Sequence, residues 1–153
     1  MATLRTQGEV ESQISTDISK LYVELFSRGP RHIQASMLPT SAVVLVQNNF
    51  TEAEKQILQA KTFFDEAGRR MFKDMRAHMM AANRAALTNA IEGATGVVVT
   101  SMHHDISTLT GEEAFVFSLR EKPAYKANHN GKMRARITGF VSRKQPNLTL
   151  PPK

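Results

Sequence analysis

The sequence predicts a two-layer α+β domain, in which a four-stranded, mainly antiparallel sheet packs against helices in the order α-ββ-αα-ββ. Three observations carry that prediction. Apolar residues recur at helical spacing near the N-terminus and in the middle of the chain, two pairs of β-branched or aromatic runs are each joined through turn-forming residues, and each pair follows a helical stretch. With 153 residues, 41% hydrophobic and 22% charged, the chain suits a single core.

The first helix opens at Thr6, which with Glu9 has capping-box spacing. Val10, Ile14, Ile18, Leu21 and Leu25 then fall within an arc of about 80° at 100° per residue, so the helix has one face to bury. It is expected to stop at Arg28-Gly29-Pro30, where Gly29 suits a left-handed cap and Pro30 cannot continue a helix. Arg31 to Met37 and Ser41 to Gln47 read as a hairpin turning around Pro39. Thr51 and Glu54 repeat the capping-box spacing and begin a short helix, with Phe50 placed for a hydrophobic staple.

A longer helix is expected from about Phe63 to Ile91. Its apolar face would be Phe64, Ala67, Met71, Met75, Met79, Ala82 and Ala86, with Arg69, Lys73, Arg76 and Arg84 forming a cationic face nearly opposite, solvated or, as the alternative, a docking surface for an acidic partner. Glu92 to Gly96 breaks it. Val97 to Met102 and Ala114 to Leu119 are the second strand pair, and the sequence His103-His104-Asp105-Ile106-Ser107-Thr108 is expected to leave the third strand for the connecting loop.

The charge is unevenly divided. From Lys122 onward there are eight Lys/Arg and no Asp/Glu, so residues 1–121 carry about −2 and residues 122–153 about +8. The division predicts an α+β domain over 1–121 and a basic, partly disordered C-terminal extension over 122–153. Absence of cysteine excludes disulfides and thiol chemistry. No apolar run is long enough to span a bilayer and no secretory signal is visible, so a cytoplasmic location is expected, including the inner face of the membrane.

Candidate sites are local. His103 and Asp105 should project to one side of an extended chain and His104 to the other. In an ordinary loop Asp105 would accept hydrogen bonds from backbone or from Ser107 and Thr108, and Thr110-Gly111 would close the turn. A metal site would need a further ligand such as His32 or His78, nothing in whose sequence spacing shows that they approach, and no metal or cofactor is assigned. A hydrolase reading joining Ser101 or Ser107 to His103, His104 and Asp105 lacks a nucleophile elbow and an oxyanion hole. No catalytic residue is assigned. Arg28, Gly29, Arg31 and His32 form a second candidate partner- or ligand-binding group beside His103, His104, Asp105, Ser107 and Thr108. Lys132, Arg134, Arg136, Arg143 and Lys144 are candidate polyanion contacts, for which Tyr125 and Phe140 supply too few aromatics to make a stacking platform.

Several words occur together: Gly8-Glu9-Val10-Glu11, Arg28-Gly29-Pro30, Leu45-Val46, Phe50-Thr51-Glu52-Ala53-Glu54-Lys55, His103 through Thr108, Gly111-Glu112, and Val116-Phe117-Ser118-Leu119. Through them residues 8 to 120 resemble the MpsC-like family, formerly a domain of unknown function. Gly29, Pro30, Thr51, Glu54, His104, Asp105, Ser107 and Thr108 match its signature positions. The resemblance implies an accessory or regulatory role beside sodium translocation, membrane potential and bicarbonate supply, with a membrane transport protein as partner. Asn48-Asn49-Phe50 departs from the more apolar segment of relatives. A small-ligand-sensing module and a nucleic-acid-associated basic protein are the alternatives, nucleic acid ranking below a protein or small-molecule partner. Two open sheet edges, or an incompletely covered helical face, predict a homodimer.

Overall fold

The computed structural model describes residues 3–47, 50–59 and 66–128. Helix α1 (Gln7–Phe26) is followed by strands β1 (His32–Leu38) and β2 (Ser41–Gln47), helices α2 (Glu52–Gln59), α3 (Glu66–Ala82) and α4 (Arg84–Thr95), and strands β3 (Val99–Ile106) and β4 (Glu112–Leu119). The four strands form one antiparallel sheet in the order β1-β2-β4-β3, so the two hairpins meet at β2 and β4. The domain is the two-layer α+β arrangement expected from the sequence.

Helix α1 starts where the capping box places it. The Thr6 side chain accepts from the Glu9 amide, and the Glu9 carboxylate accepts from the Thr6 amide. Its end is different. Ser27, not Gly29, takes the left-handed conformation, at φ 59°. The buried stripe of Val10, Ile14, Ile18 and Tyr22 meets Leu87, Ile91 and Ala94 of α4 and the inward side chains Ala35, Met37, Val44, Val46, Phe115 and Phe117 of the sheet. Each large apolar side chain withdrawn from water contributes about 1.5–3 kcal/mol, so this shared core holds the two layers together. At its N-terminal end α1 is also tied to β1: Gln7 donates to the Met37 carbonyl and Glu11 accepts from the Met37 amide.

The first hairpin turns through Pro39 and Thr40, with Leu38 opposite Ser41. The long helix predicted to Ile91 is two helices separated at Asn83, whose φ of −102° and ψ of 14° leave helical geometry. The Asn83 side chain donates to the Met79 carbonyl at the break.

The rotational setting of α3 also departs from expectation. Gly68, Phe72, Arg76 and Met80 face inward. Met71 and Met75 are 56% and 42% exposed, and Ala67, Ala82 and Ala86 are exposed as well, while Phe64 lies outside the described residues. Arg69 and Arg84 are in solvent, Lys73 is half-buried, and Arg76 is 0% exposed. The buried face is turned by about 90° from the one the Met and Ala spacing selects. Phe72 explains part of this, since an aromatic ring buries more apolar area than alanine. Carboxylates waiting at Arg76 explain the rest.

Packing continues past Glu121. Pro123 is buried, Tyr125 lies against the core, and the Lys126 amide donates to the Arg5 carbonyl. The candidate polyanion residues Lys132, Arg134, Arg136, Arg143 and Lys144 lie outside the described residues.

Candidate functional site around the His-His-Asp strand

The segment His103-His104-Asp105-Ile106 is strand, not loop: β3 runs to Ile106 and His104 sits opposite Phe115 of β4. The period of two therefore acts on these residues directly. Ile106 and the His104 side chain turn inward, while His103 and Asp105 remain exposed. The turn that follows is organised by Ser107, whose hydroxyl accepts from the Leu109 and Thr110 amides, and is closed by Gly111 at φ 74°. Asp105, which also accepts from the Ile106 amide, leaves the turn itself to Ser107. The aspartate is paired with Lys73 of α3 at 2.9 Å, and that hydrogen bond holds its carboxyl below the usual carboxylate range.

Behind the strand lies a buried ionic cluster. Arg76 donates to Glu54 of α2 and approaches Glu113 of β4, Nη1 to Oε1, at 3.1 Å, at an angle that makes an ion pair without a hydrogen bond. Tyr22 of α1 donates to Glu113 Oε2 at 2.6 Å, and His104 Nε2 meets the same oxygen at 3.1 Å. Because that oxygen is an acceptor, the histidine contact requires its proton on Nε2. Burial, reinforced by the Glu113 charge, pushes the Tyr22 phenol far above its ordinary value and keeps it a donor. Phe26 and Phe72 flank the guanidinium at 4.6 and 5.7 Å, and Phe115 packs on the His104 ring at 4.7 Å. Four elements of secondary structure beside β3 are pinned at one place.

The charge count is instructive. One guanidinium faces two carboxylates, so with Tyr22 neutral the cluster balances only when it holds one further proton. Arg76 Nε and His104 Nδ1 are buried without hydrogen-bond partners. Ser101 Oγ lies 3.4 Å from His103 Nε2 on the exposed side, but Asp105 is engaged by Lys73 and Ser107 by backbone amides, so the serine-histidine-aspartate arrangement is not assembled. Among the described residues no three His, Asp or Glu side chains are grouped to hold a metal ion.

On the surface, Lys73, Asp105, Ser107, Thr108, Leu109 and Glu112 line an open cleft of about 410 Å³. The second candidate group is remote from it. Arg31 precedes β1 and His32 opens it, at the opposite edge of the sheet from β3, roughly 14 Å away across three strand spacings. Arg28 donates to the Phe50 carbonyl, and Gly29 is exposed in the linker before β1.

Sequence reasoning missed Tyr22, Arg76 and Glu113, and took Glu54 only as a helix cap. Glu54 does cap, accepting from the Thr51 amide while Thr51 accepts from the Glu54 amide, and it also holds Arg76. Glu113 carried a signal: it shares the inward parity of Phe115 and Phe117, and an acid in that series needs a partner. Beginning the strand at Ala114 hid it. Phe50, expected to staple α2, packs edge-on against Phe72 of α3.

Comparison with known proteins adds identity to this geometry. A curated Bacillus subtilis (strain 168) protein named "Uncharacterized protein YbcI" is 28% identical over 115 residues, covering 75% of this chain and 89% of its own length. No solved structure matches. The family model described as "Na+-translocating membrane potential-generating system (MpsC)" matches residues 6–121, which include every strand and the whole ionic cluster, and the chain belongs to that family.

Proposed function

We propose that this chain is an accessory or regulatory component of a Na+-translocating, membrane-potential-generating system, acting from the cytoplasmic side by docking on a membrane-embedded partner. No helix among the described residues is long and apolar enough to cross a membrane, so a contribution to translocation by these residues runs through contact with another protein. The supporting observation is the division of labour along β3. His104 is anchored inward on Glu113, and Asp105 is held outward by Lys73 beside the Ser107 turn, which presents Leu109 at 80% exposure. A motif fixed on one side and offered on the other suits recognition.

The test is sedimentation of the purified chain with inverted membrane vesicles from the native cell and with protein-free anionic liposomes. Binding to the native vesicles alone, reduced by Asp105→Ala and by Leu109→Ser, is expected. Equal binding to both would reduce the interaction to charge attraction by the basic extension. A finer assignment, that the same system supplies bicarbonate, predicts that the chain's effect on vesicle potential depends on added bicarbonate.

A further inference from the structure

The sheet has a second face, turned away from α1 and α4. Registered neighbours point to the same side, so the outward set includes Val43 opposite Val116 and Leu45 opposite Ala114 on the two central strands. These four form a compact apolar block in the middle of the face. Around it stand Gln34 and Ser36 from β1 and His103 and Asp105 from β3. Val116 is 37% exposed, and no described element covers the block.

None of the outward positions on the four strands is Lys or Arg, in a chain that has 20 of them. Lys73 enters from the β3 side, where it pairs with Asp105 and lines a cleft that reaches Ala114. A phosphate-bearing partner, whether nucleic acid or anionic lipid, is recognised through cations, and among the described residues this surface offers it Lys73, already paired with Asp105. Depletion of Lys with retention of an apolar centre and a polar rim is the composition of a protein interface. The block lies at the centre of the sheet, so a two-fold axis running between two such faces superposes apolar on apolar and rim on rim.

We propose that the helix-free face of the sheet is a homodimer interface, in which Val43, Leu45, Ala114 and Val116 of one copy stack on the same residues of a second. Four strands about 19 Å across and about 23 Å long present roughly 450 Å² each in projection, near the low end for specific association. An interface of that size suits a weak, reversible dimer, so the equilibrium is sought on the order of 1–100 μM.

Sedimentation velocity of the full chain across that range is expected to show a monomer–dimer equilibrium, weakened at least tenfold by Val116→Lys. Because the chain contains no cysteine, His103→Cys and Asn89→Cys each give one spin-label site. Labels at His103 should lie within roughly 20 Å across the dimer, since packed sheets are about 10 Å apart. Those at Asn89, on α4, should be roughly 20 Å farther apart, because a helix layer about 10 Å thick intervenes on each side. A monomer at every concentration overturns the proposal. So does a dimer that survives Val116→Lys or brings the Asn89 labels closer than those at His103, which would assign the contact to a strand edge or the helical layer.

Discussion

Helices α1 and α3 are both amphipathic, yet apolar spacing identifies the buried face of α1 and misses that of α3 by about 90°. In α1 the periodic residues are Val10, Ile14 and Ile18, whose burial dominates all other terms for that segment. In α3 the periodic residues are Met and Ala, and the competing face offers Phe72 together with a cation for which Glu54 and Glu113 supply charge. The lesson concerns magnitudes. A stripe of small side chains is outweighed by one ring and one fully neutralised guanidinium, because leaving two buried carboxylates without a cation costs several kcal/mol.

The strongest way to break this comparison is Arg76→Ala. It strands Glu54 and Glu113 and is expected to lower unfolding free energy by about 3–5 kcal/mol in urea titration. A loss below 1 kcal/mol would mean that the cluster does not set the orientation of α3. Ile14→Ala, in the apolar stripe of α1, should cost about 2–4 kcal/mol by the same measurement, from lost transfer energy and a residual cavity.

Smaller effects sharpen the contrast. The Asp105 carboxyl is lowered in the fold, so its pairing with Lys73 stabilises above the ordinary aspartate range and the contribution is lost as pH falls through the lowered value. Its side chain is 72% exposed, and solvent screening keeps the contribution below about 1 kcal/mol. Wild type and Asp105→Asn should therefore differ slightly at pH 7 and converge as the pH is taken below the ordinary aspartate range in thermal melts. Met71→Ala should change stability least, within about 0.5 kcal/mol, because its side chain is already largely in water. A loss comparable to that of Ile14→Ala would restore the face that the spacing selects.

Local rules made much of the fold readable. Both capping boxes form, the first hairpin turns at Pro39, and the outward and inward parity of His103, His104 and Asp105 holds. What the sequence concealed depends on distance along the chain. Tyr22 and Glu113 are 91 positions apart and meet through a single hydrogen bond, a pairing that no periodicity encodes. Arg76 looked like a surface cation because arginine usually is one, and only the carboxylates of α2 and β4 reverse that expectation. The strand–loop boundary after Met102 was obscured for a related reason: two histidines and an aspartate have the composition of a loop, while pairing with β4 carries them into the sheet.

Glu54 serves two masters, closing the capping box of α2 with one oxygen and holding Arg76 with the other. Divergence at position 54 is constrained accordingly. Glutamine would keep the cap and remove charge from the cluster, whereas an apolar residue would release both contacts at once. Substitutions at 54, 76 and 113 should therefore be inherited together. In a sufficiently deep set of relatives, lineages that lose the arginine are expected to lose an acid at 54 or 113 as well, leaving a covariation signal that links a helix cap to a strand residue 59 positions downstream.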